Sequence, residues 1–285
     1  MPTGHVLATE VSEIMKSIVV EGLSFSYEND TRLILQNISF TVQEGEFVCL
    51  LGQSGCGKST FLRLLAGLEH PTEGRILMDG KPITGPGLDR GVVFQDYGLF
   101  PWMTAGENIV LALRKKLRKE NPAITKKELK DRALRLLDSV GLPETVYNTL
   151  PKELSGGMKQ RCAIARSFGI DPPVLLMDEP FGALDAVTRA LLQDLVLELW
   201  AAHEPKKTVF FVTHDVDEAL LLANRIILLG QSPSHVIYEC RIPPEQRPTR
   251  ETQFEDVNVM KLRNVLMNHL HKDIAARRDI LARKD

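Results

Sequence analysis

The sequence predicts an α/β protein built on a mostly parallel central sheet, and three observations lead to that prediction. Unbroken apolar runs at 91–94, 174–177, 208–212 and 226–229 are typical of strands covered on both faces. Segments with helix-like apolar spacing lie between these runs. Strands that alternate with helices favour parallel pairing, because a crossover helix returns the chain to the same end of the sheet.

The sequence pattern of the N-terminal part of the chain predicts antiparallel strands at the edge of this fold. Three apolar blocks are interpreted as strands, at 18–27, 38–42 and 47–51. Asp79 and Gly80 both tolerate positive φ, so the strands expected on either side of them, at 75–78 and 81–83, should form a hairpin.

Three helices are predicted with recognisable ends or faces, at 59–66, 126–140 and 186–202. The first should stop at Gly67, because glycine readily ends a helix in the left-handed conformation. Thr125 and Glu128 are spaced as a capping box at the start of the second. The core face of the third is predicted to consist of Leu191, Leu192, Leu195 and Leu199. The stretch 96–170 is expected to form a mostly helical subdomain.

The composition excludes a disordered or fibrous protein, since 44% of the 285 residues are hydrophobic and 25% are charged. A net charge of -2 gives no overall attraction for nucleic acid, and we expect no nucleic-acid partner. No apolar run reaches the roughly 18 residues that span a bilayer. Residues 1–17 lack the basic start and apolar block of a secretory signal. We therefore expect a chain that does not cross the membrane.

The four cysteines predict reduced thiols rather than disulfides or a zinc site. Cys49, Cys56, Cys162 and Cys240 form no CxxC pair, which suits a cytosolic protein. Cys56 lies inside the glycine-rich segment described next. A small space-filling thiol is the favoured interpretation there, and an oxidation switch is the alternative.

The strongest motif is a glycine-rich segment between the strand at 47–51 and the helix at 59–66. It has the spacing GxxxxGK[ST]. Glycines let backbone N–H groups converge on phosphate oxygens, and the helix N-terminus adds a favourable partial charge. Lys58 should reach the β- and γ-phosphates of a nucleotide, and the Ser59 hydroxyl should bind Mg²⁺. The residues predicted to contact the nucleotide are Gly52, Ser54, Gly55, Cys56, Gly57, Lys58, Ser59 and Thr60.

A pair of carboxylates follows the apolar strand at 174–177 and supplies the second half of a nucleotide site. Asp178 and Glu179 should lie at the carboxyl edge of the sheet, where the phosphate loop also emerges. We expect Asp178 to hold Mg²⁺, and Glu179 to orient and deprotonate the attacking water. A solvated pair of acids at a strand end is the alternative interpretation.

Residues 154–161, LSGGMKQR, indicate a second anion site at a helix start. Ser155 can cap that helix, and Gly156 and Gly157 allow a close approach of the backbone. Together with the phosphate loop and the acid pair, this segment resembles the signature of the ATP-binding cassette (ABC) family. The resemblance covers about residues 18–229. It implies an ABC-type P-loop NTPase fold, with a mostly parallel core sheet, an antiparallel β subdomain at its edge and a helical subdomain.

The resemblance also implies an ATPase that uses ATP and Mg²⁺ and works as a homodimer. In that family two copies face each other head to tail. Ser155, Gly156 and Gly157 of one copy would close over the γ-phosphate held by the other. Asp185 matches the loop that crosses the dimer interface, although it is also a good helix cap.

Three further residues match family positions. Gln95 matches the glutamine that touches Mg²⁺ and water, and a buried amide at a strand end is its alternative. His214 matches the histidine that contacts the γ-phosphate, and a core histidine is its alternative. Tyr27 lies where an aromatic ring stacks on adenine, although tyrosines at strand ends are common.

The Phe100-Pro101-Trp102 triplet resembles importers of nitrate, sulfonate and taurine. This implies integral-membrane permease subunits that dock near Gln95 to Thr104, a periplasmic or extracellular solute-binding protein, and a location at the cytoplasmic face of the inner membrane. Phe100 and Trp102 could instead be core residues of the helical subdomain. An importer of another solute, such as a thiamine precursor or a phthalate-like compound, and a soluble non-transport ABC ATPase remain alternatives. A P-loop small-molecule kinase and an exporter subunit are disfavoured.

The predicted organisation is an N-terminal extension at 1–17, an ATPase domain at 18–245 and a C-terminal helical extension at 246–285. The extension has apolar residues at helical spacing, and it should pack on the domain or pair with a dimer mate. Residues 114–130 hold eight basic and two acidic residues. A solvated helical face is the favoured interpretation of this basic segment, and contact with lipid headgroups is the alternative.

Overall fold

The structure is a computed structural model that describes residues 17–28 and 32–282. Within those residues the chain forms ten strands: β1 (Ser17–Phe25), β2 (Leu35–Gln43), β3 (Phe47–Leu51), β4 (Glu73–Met78), β5 (Lys81–Pro82), β6 (Arg90–Val93), β7 (Val174–Asp178), β8 (Thr208–Thr213), β9 (Arg225–Leu229) and β10 (Val236–Arg241). Over the same part of the chain the α-helices are α1 (Lys58–Ala66), α2 (Ala105–Glu120), α3 (Lys126–Ser139), α4 (Gly156–Gly169), α5 (Ala186–Ala201), α6 (Val216–Leu222) and α7 (Val257–Ala282).

The central sheet has six strands in the order β10-β9-β3-β8-β7-β6. All neighbours pair in parallel except β10, which runs antiparallel to β9 at one edge. The predicted parallel α/β sheet is therefore confirmed. Strand β10 was not predicted, because its side chains are half-buried or exposed and its sequence has no unbroken apolar run.

The antiparallel strands form a sheet of their own, in the order β2-β1-β4-β5. Strand β1 pairs antiparallel with both β2 and β4. The predicted hairpin joins β4 to β5, and Asp79 and Gly80 adopt φ values of 52° and 73° at its turn. The predicted antiparallel β subdomain is therefore confirmed.

The two faces of the central sheet contribute to different hydrophobic clusters. In β3, Phe47, Cys49 and Leu51 belong to a cluster with α2 to α7. Val48 and Leu50 belong to a second cluster with α1 and the antiparallel sheet. Because successive side chains of a strand point to opposite faces, a strand buried on both faces needs the continuous apolar run seen in the sequence.

Helix α5 differs from its predicted packing. Leu192 is buried as expected, but Leu191 is 55% exposed, so its assignment to the core was wrong. Val196 and Trp200 are buried instead. Residues four apart lie on one helix face, so Leu192 is followed on that face by Val196 and Trp200, while Leu191 is turned about 100° away.

Other predicted helix details are confirmed. Helix α1 ends at Gly67, which has φ 72° and caps the helix. Thr125 and Glu128 form the expected reciprocal capping box of α3. The stretch 96–170 is mostly helical, with α2, α3, α4 and short 3-10 turns. In the basic segment, the charged side chains are exposed apart from the half-buried Lys116, as expected for a solvated face.

The C-terminal helix α7 packs back on the rest of the chain, against α6 and β10. Leu266 and Leu270 are buried in the larger cluster, and His269 stacks on Tyr238 with ring centroids 4.5 Å apart. No helix in the described part of the chain is long and apolar enough to span a bilayer. The predicted extension at 1–17 lies, apart from Ser17, outside the described residues. The domain limits 18–245 and 246–285 stay predictions.

Candidate nucleotide-binding site

Four neighbouring strands deliver the predicted site residues to one edge of the central sheet. Strands β6, β7, β8 and β3 are consecutive and parallel, so their carboxyl ends meet at the same edge. Gln95 follows β6, Asp178 ends β7 and is followed by Glu179, His214 follows β8, and the phosphate loop follows β3.

The phosphate loop is a tight backbone turn that only small residues permit. Gly57 has φ 105°, and a Cβ there would lie 2.8 Å from Leu35. Gly55 has φ 79° and is exposed with Ser54 at the tip of the loop. Substitution of Gly57 would therefore combine backbone strain with a steric clash.

The ammonium group of Lys58 is held inside this loop. Its Nζ donates hydrogen bonds to the carbonyl oxygens of Gly52 and Gln53, both at 2.9 Å. The residue is only 4% exposed. A buried cation that is satisfied by backbone carbonyls is ready to turn toward a more strongly negative acceptor such as a phosphate.

Ser59 and Asp178 meet although they lie 119 residues apart in sequence. The Ser59 hydroxyl donates to Asp178 Oδ1 at 2.8 Å. Burial raises the pKa of the Asp178 carboxyl, the hydrogen bond from Ser59 opposes that shift, and the charge of Glu179 adds to it. The pair offers a hydroxyl and a carboxylate, which are the hard oxygen donors that Mg²⁺ accepts beside phosphate oxygens. These residues therefore fit the predicted magnesium site.

Glu179 lies between the predicted phosphate-binding groups. Its Oε1 is 3.7 Å from Lys58 Nζ and 3.4 Å from His214 Nδ1. Its backbone is left-handed, with φ 42°. This conformation is uncommon for a non-glycine residue and is typical of functional positions. The structure thus brings together Glu179, Lys58 and His214, which are three of the four side chains, with Gln95, to which the sequence assigned the chemistry of hydrolysis.

A cavity of about 630 Å³ opens beside the serine–aspartate pair. Its lining includes Ser59, Asp178 and Gln95. Gln95 is exposed, so the alternative of a buried amide at a strand end is wrong. Its amide can reach a ligand in this cavity, next to the two predicted magnesium ligands.

Tyr27 lies beside the start of α1. Its hydroxyl is 3.1 Å from Thr60 Oγ1, and its ring packs edge-on against Phe25 with centroids 4.9 Å apart. The residue is 39% exposed. The side chain is therefore partly accessible to a ligand, close to the predicted phosphate-binding Thr60.

The signature residues make local contacts. Ser155 caps α4 and accepts a hydrogen bond from Met158 N at 3.3 Å. A Cβ on Gly157 would lie 2.6 Å from Thr188 Cγ2, and one on Gly156 would lie 3.2 Å from Tyr97 Oη. The two glycines thus let α4 pack closely on its neighbours.

Asp185 caps α5 as the sequence predicted. It accepts hydrogen bonds from Val187 N at 3.1 Å and Thr188 N at 3.0 Å. Hydrogen bonds from Thr188 and Val187 lower the pKa of its carboxyl. The contact with a partner subunit that was predicted for Asp185 stays a prediction.

Cys56 is buried, and burial raises the pKa of its thiol. A buried thiol with little thiolate character is a poor target for oxidation, so the structure favours the space-filling interpretation. The cysteines are all free, and Cys49 and Cys162 are buried as well.

One supporting residue was missed by the sequence. Asn108 is fully buried in α2 and holds the loop that carries Phe100 and Trp102. It accepts from Phe100 N at 2.8 Å and donates to the carbonyl oxygens of Phe100, Met103 and Thr104. The signal was a polar residue on the otherwise apolar face of a helix, where burial requires hydrogen-bond partners.

The same loop keeps its aromatic side chains outside the core. Trp102 is 74% exposed and Phe100 is 39% exposed, with ring centroids 5.5 Å apart. The alternative that they are core residues of the helical subdomain is therefore wrong.

A sequence model of the ABC transporter family matches residues 35–182, which is more than half of the chain. The chain belongs to the ABC transporter family. This ABC protein is an ATPase, and its fold is that of the family's ATP-binding cassettes. The predicted recognition, fold class and enzyme class are thereby confirmed.

Curated relatives cover nearly the whole chain. It is 42% identical over 255 residues to the nitrate import ATP-binding protein NrtD of Synechococcus elongatus, covering 89% of this chain and 90% of that protein. It is 43% identical to the bicarbonate transport ATP-binding protein CmpD of the same organism, covering 90% and 91%. It is 42% identical to the aliphatic sulfonates import ATP-binding protein SsuB of Bacillus cereus, covering 85% and 92%.

A solved structure has the same fold. The ATP-binding cassette MJ0796, in a dimeric post-hydrolysis state bound to ADP and Pi, matches this ABC protein with a TM-score of 0.69 and 34% identity. The match covers 79% of this chain and 99% of that one.

Proposed function

We propose that this chain is the ATP-hydrolysing subunit that drives import of a small anion such as nitrate, bicarbonate or an organosulfonate. The observation that carries the ATPase part is the assembly of Lys58, Ser59, Asp178 and Glu179 at one sheet edge. The relatives named for nitrate, bicarbonate and sulfonate import support the anion. The solute itself would be selected by partner proteins.

The side chains divide the chemistry of hydrolysis. Lys58 exchanges its carbonyl partners for the β- and γ-phosphates of ATP. Glu179 orients the attacking water and takes its proton. His214, 3.4 Å from Glu179, contacts the γ-phosphate, and Tyr27 stacks on adenine. The backbone of Gly52 to Gly57 surrounds the phosphates.

Ser59, Asp178 and Gln95 would hold Mg²⁺. The ion supplies neutralisation of the charge that develops on the phosphate oxygens. The three side chains line one cavity, which supports a shared role. Asp178 would be ionised when it binds the cation, since a nearby positive charge opposes the effect of burial.

The site is completed by a second copy of the chain in a head-to-tail homodimer. Ser155, Gly156 and Gly157 would close over the γ-phosphate of the partner, and Asp185 would lie at the interface. Support comes from the position of Ser155 at the N-terminus of α4, where backbone N–H groups favour an anion, and from the dimeric state of MJ0796. Closure on ATP and reopening after hydrolysis would transmit force to the membrane subunits.

The segment from Gln95 to Thr104 would dock the permease at the cytoplasmic face of the inner membrane, with a solute-binding protein acting on the other side. Exposed aromatic residues dominate the energetics of interfaces. Trp102 is exposed while Asn108 fixes its loop, so the surface is ordered before a partner arrives.

The test is reconstitution of the chain with its candidate permease in proteoliposomes loaded with ATP, with the candidate solute-binding protein added outside. ATP-dependent uptake of labelled nitrate, bicarbonate or an alkanesulfonate is expected, and Glu179→Gln should abolish it. Trp102→Ala should lose co-purification with the permease, whereas Trp102→Phe should retain it. Uptake of a thiamine precursor or phthalate alone would establish the alternative importer. ATPase activity without any permease binding would establish a soluble ATPase.

A further inference from the structure

The C-terminal helix α7 is linked to the phosphate loop through one intermediate loop, residues 230–235. Asp273 on α7 accepts a hydrogen bond from Gln231 N at 2.9 Å through Oδ2. A Cβ on Gly230 would lie 2.9 Å from Asp273 Oδ1, so the glycine permits this close approach. The carboxylate therefore fixes the backbone where the loop begins.

The side chain of Gln231 continues the link. Its Nε2 donates to Gln53 Oε1 in the phosphate loop at 2.9 Å. The carbonyl of Gln53 in turn accepts from Lys58 Nζ at 2.9 Å. Two hydrogen bonds thus connect Asp273 to the residue whose backbone orients the phosphate-binding lysine.

The intermediate loop is attached on its other side as well. Ser234 N donates to Ile34 O, and Gln36 N donates to Ser234 O, both at 2.8 Å. Ser234 Oγ closes the loop on Gly230 O at 2.8 Å. Because hydrogen bonds hold this loop at both ends, a shift of α7 should displace the whole loop.

A second contact joins α7 to the histidine side of the site. The Arg263 guanidinium donates to Asp217 Oδ1 at 2.6 Å and to Oδ2 at 3.3 Å. Asp217 lies in the first turn of α6, three residues after His214. The hydrogen bond to Asp217 raises the pKa of Arg263, so the guanidinium stays charged at neutral pH.

The contacts made by Arg263 and Asp273 both start from the single helix α7. Arg263 and Asp273 are ten residues apart, which spans about 15 Å of α-helix. Between them Leu266 and Leu270 are buried and His269 stacks on Tyr238. We propose that Asp273 and Arg263 are positioning residues for ATP hydrolysis: α7 sets the phosphate loop through Gln231 and Gln53, and it sets His214 through Asp217. This inference rests on the nucleotide roles proposed above and adds a function for the C-terminal helix.

The test compares ATP binding and steady-state hydrolysis by the full chain and three variants. Asp273→Ala should raise KM and the ATP Kd about threefold to tenfold with kcat retained, which is the scale of one hydrogen bond. Arg263→Ala should lower kcat by a similar factor with KM retained. Lys272→Ala is the matched control, because Lys272 is exposed on the same helix next to Asp273. It should match the wild type.

Two further variants separate positioning from simple stabilisation. Asp273→Asn keeps an acceptor for Gln231 N and should restore a KM near that of the wild type. Gln231→Ala keeps the backbone donor and cuts only the contact with Gln53, so it should raise KM like Asp273→Ala. The double variant Asp273→Ala/Gln53→Ala should bind ATP no more weakly than whichever single variant binds it more weakly. This is expected when the two residues act through the same series of hydrogen bonds.

The contrary outcomes are distinct. If Asp273→Ala and Arg263→Ala lower only the melting temperature, with KM and kcat equal to those of Lys272→Ala, then α7 merely stabilises the fold and the proposal is wrong. If Gln231→Ala leaves KM unchanged, the link to the phosphate loop is wrong. If the wild type and Lys272→Ala are both folded and neither binds ATP, the nucleotide assignment itself fails, and this inference fails with it.

Discussion

The phosphate loop and the signature loop are both glycine-rich and both precede a helix, yet their surroundings differ. Ser59 of the phosphate loop meets Asp178 across 119 residues, and Lys58 lies 3.7 Å from Glu179. Ser155 of the signature loop contacts Met158, three residues further on. The phosphate loop therefore has charged partners that follow other strands. In the signature loop, the Ser155 side chain is instead hydrogen-bonded within its own helix.

This difference supports the proposed division of the site between two copies of the chain. The groups proposed to hydrolyse ATP lie in one chain, because parallel strands bring lysine, serine and two carboxylates to a single edge. The signature loop presents a helix N-terminus, which favours an anion brought by another molecule. Four substitutions test this contrast.

Glu179→Gln tests the half of the site that is complete in one chain. We expect kcat for ATP hydrolysis to fall by about 10²- to 10⁴-fold, since a general base contributes on that scale. ATP binding should persist and an ATP-bound dimer should accumulate, as measured by size-exclusion chromatography with light scattering. Wild-type turnover in this variant would falsify the assignment of Glu179 as the base.

Ser155→Arg tests the half that needs a partner. Hydrolysis should drop by about 10²-fold or more, the cost of losing a donor that stabilises developing charge. Binding of ATP to the monomer should remain at the wild-type level by calorimetry, with Ser155→Thr as the conservative control. If monomer binding were lost, the signature loop would act within its own chain and the contrast would disappear.

Tyr27→Ala addresses the adenine end of the phosphate-loop half. Loss of a stacking contact should weaken ATP affinity by about 1–3 kcal/mol, the range for aromatic stacking on a base. Tyr27→Phe is the matched control, because it loses only the hydroxyl contact with Thr60 at 3.1 Å and keeps the ring. Equal affinities for the alanine variant and the wild type would place adenine elsewhere.

Gly157→Ala separates packing from function in the signature loop. The new Cβ would lie 2.6 Å from Thr188 Cγ2, so we expect a loss of about 1–3 kcal/mol in the free energy of unfolding, as for other overpacked sites. Adding Thr188→Ser removes that methyl group and keeps the hydroxyl beside Asp185. Chemical denaturation should then show recovered stability. Recovered ATPase activity as well would show that Gly157 serves packing alone.

Local features of this protein were predictable from the sequence. The Thr125 and Glu128 capping box, the turn at Asp79 and Gly80, and the end of α1 at Gly67 all occur as expected. Each depends on residues within a few positions of one another, so neighbouring side chains and φ preferences decide them. The strand of the phosphate loop was also predicted with its observed limits.

The hydrophobic pattern of the sequence was less informative about features that depend on tertiary packing. Leu191 and Leu192 are chemically identical, yet only Leu192 is buried, because the orientation of α5 selects one face of the helix. Strand β10 was missed because its pairing with β9, and not its apolar content, makes it a strand. The role of Asn108 in holding the loop that carries Phe100 and Trp102 likewise depends on the fold.

The class of chemistry was predictable from the order and spacing of short motifs, each of which needs a strand end or a helix start. The contacts between distant groups became known from the fold: Ser59 with Asp178, Glu179 with His214, and Asp273 with the loop that reaches Gln53. Helical hydrogen bonds and caps act over three or four residues, whereas contacts between distant side chains depend on the order in which strands pair and on the surface against which a helix packs.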